Sequence, residues 1–123
     1  MDHSVNFLRI TQDARTRILE THIDELLTRI EGGDKGYVLI DVREDHEWAR
    51  GHIPGAIHLG RGILERDIEK LVPDHGSEIV LYCGGGYRSA LAAESLQRMG
   101  YQRVYSLFEG WSGWRKRGWP LDP

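Results

Sequence analysis

The runs Tyr37-Val38-Leu39-Ile40 and Ile79-Val80-Leu81-Tyr82 are continuously apolar yet only four residues long. They are too short for helices, and strands with one wet face would alternate, so each reads as a strand buried on both faces of a parallel sheet. Ala56-Ile57-His58-Leu59 and Val104-Tyr105-Ser106-Leu107 read as further short strands, and Arg17-Ile18-Leu19-Glu20 as an edge strand. Segments of helical period separate them. Parallel strands need crossovers, and this alternation predicts an α/β fold of three layers. Its mainly parallel sheet of about five short strands has right-handed connections and helices on both faces. Ligands of such sheets bind beyond the carboxyl ends of the strands, where Asp41 and Cys83 both fall.

Phe7, Ile10 and Ala14 give a helix over 5–15 an apolar stripe. Thr21 reads as the N-cap, with Asp24 three residues on, of a second helix that carries Ile23, Leu26, Leu27 and Ile30 and stops at Gly32-Gly33. Glu44 to Arg50 has acids in its first turn and Gly51 behind it, and Leu64, Ile68, Leu71 and Val72 precede the breaker Pro73. Ala92, Leu96 and Met99 mark a helix from about Arg88 to Met99, with Gly100 as a left-handed C-terminal cap. Trp111, Trp114 and Trp119 fall in a terminal helix or turn and read as hydrophobic packing. No repeat or linker divides the 123 residues. One domain is therefore expected over 17–123. Residues 1–16 form a helical extension that either packs on the helical layer or serves self-association.

Sixteen basic against 19 acidic side chains leave a formal charge of −3, without the basic stripe of a nucleic-acid binder. Arg115-Lys116-Arg117 is the one dense basic cluster and reads as a solvated helix face. No apolar run approaches the roughly 18 residues of a membrane span, and Met1-Asp2-His3-Ser4 lacks the basic start of a signal peptide. No membrane partner is expected, and the cytoplasm is the default compartment. Cys83 is the single cysteine, which excludes an internal disulfide and any multi-cysteine metal site. His46, His52 and His58 recur every six residues, a spacing that fits no single helix face, so no metal site is expected there.

Cys83-Gly84-Gly85-Gly86-Tyr87-Arg88-Ser89 leaves a buried strand and enters a helix. Three glycines permit a tightly curved loop. If the loop wraps the sulfur, successive N–H groups turn inward, and the positive end of the next helix adds to them. The result is an anion cradle centred on Cys83, whose thiolate is the reactive form. The plainer alternative is a buried small residue before an ordinary strand-to-helix turn. Four residues separate Cys83 from Arg88, one fewer than in the Cys-x5-Arg phosphate loop of cysteine-dependent phosphatases, and a smaller ring favours a smaller guest.

On this loop the chain resembles the rhodanese family. Leu39-Ile40-Asp41-Val42-Arg43-Glu44, Glu47-Trp48 and Gly51-His52-Ile53-Pro54-Gly55-Ala56-Ile57 match the family's upstream signature, and Leu107 through Trp114 resembles its downstream Gly and Trp motif. The likeness covers residues 37–121 and implies a rhodanese-like fold. It also implies a sulfurtransferase in which Cys83 takes a sulfane sulfur from thiosulfate or a persulfide donor, holds it as a persulfide, and yields it to a thiol or cyanide. Gly84, Gly85, Gly86, Tyr87, Arg88 and Ser89 would form the binding loop, with no metal or organic cofactor. The alternative is a sulfur-carrier or regulatory module that acts with a protein acceptor and has no small-molecule turnover.

Arg88 would either orient a donor's sulfonate or clamp the loop, since guanidinium makes rigid two-pronged contacts with oxyanions. Asp41, Arg43 and Glu47 are the supporting residues: Asp41 as partner of Arg88 or Arg43, the other two in an ion-pair network under the upstream loop. His52 reads as a hydrogen-bonding turn residue. Two departures from the family pattern bear on substrate. No basic residue lies between Cys83 and Arg88, so thiosulfate is expected to be a poor donor and an organic persulfide, with Tyr87 as an apolar wall, a better one. Glu109 stands where the family commonly has the first of two glycines. Facing the site, it would disfavour dianionic donors; facing water, it would matter little.

Overall fold

The structure, a computed structural model, describes residues 3–123. Five strands, β1 (Leu19–Thr21), β2 (Val38–Asp41), β3 (Ile57–His58), β4 (Glu78–Tyr82) and β5 (Arg103–Leu107), make one sheet of order β1-β5-β4-β2-β3. Every pairing is parallel. The helices are α1 (Val5–Arg15), α2 (Ile23–Glu31), α3 (Asp45–Trp48), α4 (Leu64–Leu71), α5 (Tyr87–Arg98) and α6 (Gly110–Lys116), with a 3₁₀ turn at Arg61–Ile63. This is the α/β architecture that the alternation of short apolar runs predicts.

Side-chain alternation along the strands sorts the core into two halves. Ile79, Leu81 and Cys83 point to one face and pack with Val104, with Leu64 and Ile68 of α4, and with Ala92, Ala93 and Leu96 of α5. Val80 and Tyr82 point to the other, against Ile23 and Leu26 of α2 and Trp114 of α6. Burial of each large aliphatic side chain here contributes about 1.5–3 kcal/mol. Trp114 is fully buried, and its indole N–H donates to the Pro120 carbonyl at 2.7 Å. α1 lies against α5, as an outer helix on the Cys83 side.

Several local expectations need correction. Thr21 ends β1 and does not cap α2; His22 occupies the cap position without a side-chain bond to the helix. The Ile23 N–H instead donates to Glu109 Oε1 at 3.0 Å, so the cap comes from 86 residues away in sequence. The helix expected over Glu44 to Arg50 is the single turn Asp45–Trp48, and the strand expected over 56–59 is Ile57–His58. On α1 the buried residues are Thr11 and Ala14, while Ile10 is exposed. The inner face of α1 thus runs through Phe7, Thr11 and Ala14, at i, i+4 and i+7. Gly100 follows α5 with φ +97°, as a left-handed terminator should. Among the described residues no helix is long and apolar enough to cross a membrane.

Candidate functional site

β4 delivers Cys83 at the carboxyl end of the sheet, on the face that α5 covers. The residue is buried, 1% exposed, and its sulfur accepts the Ser89 N–H at 3.3 Å. Ser89 Oγ lies 3.5 Å from the sulfur and 2.8 Å from Ser106 Oγ on β5. Ser106 is there because residues 104 and 106 share the sheet face of Ile79, Leu81 and Cys83. Both serines are fully buried, so each needs the other's hydroxyl.

The glycine loop is held from outside. Carbonyls of Cys83 and Gly84 accept from the N–H groups of Trp111 (2.8 Å) and Ser112 (2.9 Å), at the start of α6. That approach requires Gly110. Its φ is +64°, and a Cβ there would lie 2.7 Å from the Cys83 carbonyl oxygen and 2.6 Å from that of Gly84. Gly86 closes the loop at φ +86°, where a Cβ would run into the Phe108 carbonyl. The Gly86 carbonyl accepts from Arg15 of α1 at 3.4 Å. By contrast, the N–H groups of Gly84, Gly85 and Gly86 donate to no other protein group among the described residues.

Arg88 spans away from the loop and binds both carboxylate oxygens of Glu47, at 2.9 and 3.1 Å. Glu47 Oε1 also accepts the Glu44 N–H at 3.1 Å, which locks α3 in place. The Arg88 guanidinium hydrogen-bonded to Glu47 holds that carboxyl down at about 2 despite partial burial, and Glu47 in turn pushes Arg88 up. Of the two partners open to Asp41, the structure selects Arg43. The pair is buried: Arg43 Nη2 lies 2.7 Å from Asp41 Oδ2 and 2.7 Å from the Gly51 carbonyl. The guanidinium also rests on the Trp111 ring at 4.8 Å, so Trp111 does more than pack.

Glu109 faces neither the site nor bulk water alone. Besides capping α2, its Oε2 meets His22 Nδ1 at 3.0 Å. Burial works against its charge, but His22 and the Ile23 N–H prevail and hold the carboxyl below its ordinary range. His52 and His58 stack on Trp48, with ring centroids at 3.5 and 5.0 Å, which leaves His46 as the one of the three that lines the site.

Above the sulfur lies a cavity of about 760 Å³. Cys83, Gly84, Gly85, Tyr87 and Arg88 line it, with Arg43 and Glu47. Sequence reasoning missed seven contributors: His3 and Phe7 from the N-terminal segment, His46 on α3 and Arg50 after it, and Trp111, Ser112 and Arg115 on α6. Arg115 is exposed, as its place in a solvated basic cluster implies, and also borders the cavity. Helical position within α6 was the available signal, since Arg115 lies one turn beyond Trp111.

A family model for the Rhodanese-like domain matches residues 22–117. The chain is 32% identical over 81 residues to the putative sulfur carrier protein YrkF of Bacillus subtilis, covering 66% of this chain and 43% of that protein. It thus spans less than half of that relative's length. It is 38% identical over 80 residues to the thiosulfate sulfurtransferase GlpE of Stutzerimonas stutzeri, covering 65% of this chain and 72% of that one. A solved structure from Rhodopseudomonas palustris, a protein of unknown function described as a possible tyrosine phosphatase, superposes with a TM-score of 0.87 at 29% identity. That superposition covers 99% of both chains, α1 included. With the cysteine loop, the parallel sheet and the family match all in register, the chain belongs to the rhodanese-like domain family.

Proposed function

We propose that this protein is a sulfurtransferase that carries sulfane sulfur on Cys83. The observation that carries the reading is the buried Cys83 at the base of an open cavity, its sulfur accepting the Ser89 N–H, in a loop whose three glycine N–H groups have no protein acceptor among the described residues. In the first step the Cys83 thiolate attacks the outer sulfur of thiosulfate or a persulfide. The donor's S–S bond breaks, and sulfite or a thiolate leaves with the electron pair. Cys83 then bears a terminal sulfur with one negative charge, which the N–H groups of Gly84 to Ser89 stabilise as an oxyanion hole stabilises oxygen. In the second step cyanide or a thiol attacks that sulfur, and the Cys83 thiolate leaves. Splitting one transfer into two displacements predicts ping-pong kinetics.

Arg88 acts in this scheme as a clamp through Glu47, and Asp41 and Arg43 support the neighbouring loop. No step calls for a metal or organic cofactor. A lone thiol that must stay reduced suits the cytoplasm. Relatives that include proteins named thiosulfate sulfurtransferase support the reaction class. The second reading is a carrier module that hands its sulfur to a protein acceptor, and the relative named as a putative sulfur carrier favours it.

The test is intact mass spectrometry after brief exposure to thiosulfate or glutathione persulfide, with Cys83→Ser as control. The expected result is a gain of one sulfur atom that requires Cys83 and disappears with cyanide or a thiol. A persulfide discharged only by a protein thiol would favour the carrier. No gain from either donor, with activity on an aryl phosphate, would replace both readings with a phosphatase.

A further inference from the structure

Four arginines line the cavity over Cys83, and two of them are committed elsewhere. Arg43 is tied to Asp41 and Arg88 to Glu47. Arg50 and Arg115 form no ion pair or side-chain hydrogen bond among the described residues. In a chain of net charge −3, the cavity therefore keeps two uncompensated guanidinium groups. Guanidinium matches a carboxylate with two parallel N–H donors.

Another wall of the same cavity is aromatic and comes from the N-terminal segment. His3 lies 4.6 Å from Tyr87 between ring centroids, Phe7 lies 6.0 Å from Tyr87, and His3 and Phe7 are 5.2 Å apart. Arg15 fixes this panel to the loop: besides reaching the Gly86 carbonyl, its guanidinium lies over the rings of Tyr87 (5.2 Å) and Phe108 (4.9 Å). Arg15 Nε faces Glu20 Oε2 at 3.3 Å, and neither atom has a well-aligned hydrogen bond. The cavity volume lies within the roughly 300–1,000 Å³ usual for organic ligands, far beyond the need of an inorganic sulfur donor.

We infer that α1 with His3, together with Arg50 and Arg115, forms an outer subsite for the organic half of a carboxylate-bearing persulfide, with its aliphatic part on the ring panel and a carboxylate on the arginines. The inference deepens the sulfurtransferase reading and rests on it. The step served is the first displacement: the Cys83 thiolate attacks the outer sulfur of R–S–SH, the donor's S–S bond breaks, and R–S⁻ leaves with the electron pair while Cys83–S–SH forms. A subsite that holds R fixes the outer sulfur in line with Cys83. It also makes the N-terminal segment a part of the site.

The test compares glutathione persulfide, which carries two carboxylates, with cysteamine persulfide, which carries none and has a cationic amine. Cys83 persulfidation is followed by intact mass at low ionic strength for wild type, the Arg50→Gln/Arg115→Gln double variant, Phe7→Ala and Phe7→Leu. Exposed charge pairs change affinity by up to about fivefold each, so wild type should prefer glutathione persulfide by about tenfold. The double variant should lose most of that preference, as should wild type in high salt. Phe7→Leu keeps α1 packed if Phe7→Ala does not, and should raise the half-saturating glutathione persulfide concentration about threefold. Equal preference in wild type and double variant would overturn the carboxylate subsite, and a Phe7→Leu protein that saturates like wild type would overturn the role of α1. Failure of every donor to load Cys83 would instead overturn the sulfurtransferase reading, a separate result.

Discussion

The Arg88–Glu47 pair ties the cysteine loop to α3, and Glu47→Gln isolates its charge. Glutamine keeps the size of the side chain and the amide oxygen that accepts the Glu44 N–H, now at 3.1 Å. Holding the Glu47 carboxyl at about 2, against an ordinary 4.5, corresponds to an upper bound of about 3 kcal/mol at about 1.36 kcal/mol per tenfold change in proton affinity. Both side chains are near 30% exposed (Arg88 32%, Glu47 28%), and solvent screening brings the expected loss to about 1–2 kcal/mol. For a domain of this size that lowers Tm by about 3–10 °C. The pH dependence gives the sharper check. Because the folded value lies below the unfolded one, this stabilisation is fully present above about 4.5 and is lost as pH falls toward 2. Urea unfolding of wild type and variant at pH 7, 5, 4 and 3 should therefore show a gap that is constant from 7 to 5 and narrows below it. A gap of the same size at pH 7 and pH 3, or none at pH 7, would refute the ion-pair account.

Asp41→Asn leaves the Arg43 guanidinium buried without its counter-charge, so urea unfolding should show a loss of about 3–5 kcal/mol; a variant within 1 kcal/mol of wild type would mean the pair is dispensable. Gly110→Ala sets a Cβ 2.7 Å from the Cys83 carbonyl oxygen at φ +64° and should cost more than about 2 kcal/mol. Gly55→Ala, at φ +83° with nothing within 4 Å, should cost only about 1 kcal/mol of backbone strain, and equal costs at the two sites would contradict the close approach of α6. Ser106→Ala removes the hydroxyl 2.8 Å from Ser89 Oγ, and the loss of a bond worth about 1 kcal/mol should slow iodoacetamide alkylation of Cys83 about fivefold at fixed pH; an unaltered rate would end the case for a serine pair behind the sulfur.

What the sequence made legible was local. Continuous apolar runs disclose strands buried on both faces, so β2 and β4 stand within a residue or two of where periodicity puts them, and Cys83 and Asp41 follow at their ends. A glycine run after a strand likewise announces a curved loop. Boundaries of the shortest elements were harder, because a single turn such as α3 has no period to detect. Partners brought in from a distance left no local trace at all. Thr21 has the chemistry of an N-cap, and nothing near it discloses that Glu109, 86 residues on from Ile23, takes the helix's first N–H. Arg15 is one basic residue among 16 Lys and Arg until α1 lies on α5 and brings it against Gly86. Arg115 stays exposed, as a residue of a solvated basic cluster should, and reaches the cavity rim only when α6 is docked by its N-terminal N–H groups onto the loop carbonyls.

Those distant ties bear on more than the shape of the loop. Each peptide offers an acceptor and a donor, and only the donor suits a sulfur that gathers negative charge. α6 engages the carbonyls of Cys83 and Gly84, and Arg15 of α1 engages that of Gly86. The N–H groups of Gly84, Gly85 and Gly86 remain without a protein acceptor among the described residues, in the loop that leads to the Ser89 N–H on the sulfur. Glycine alone does not enforce that arrangement, since a glycine peptide turns over readily in either sense. With the carbonyls of Cys83, Gly84 and Gly86 tied to α6 and α1, reversing the peptide that carries the N–H of Gly84, Gly85 or Tyr87 would break a hydrogen bond and turn an oxygen to the side where the N–H stood. In the proposed sulfur transfer the two outer helices thereby hold the sign of the field over those peptides, and the approach of Gly110 to the loop serves that role without touching the sulfur.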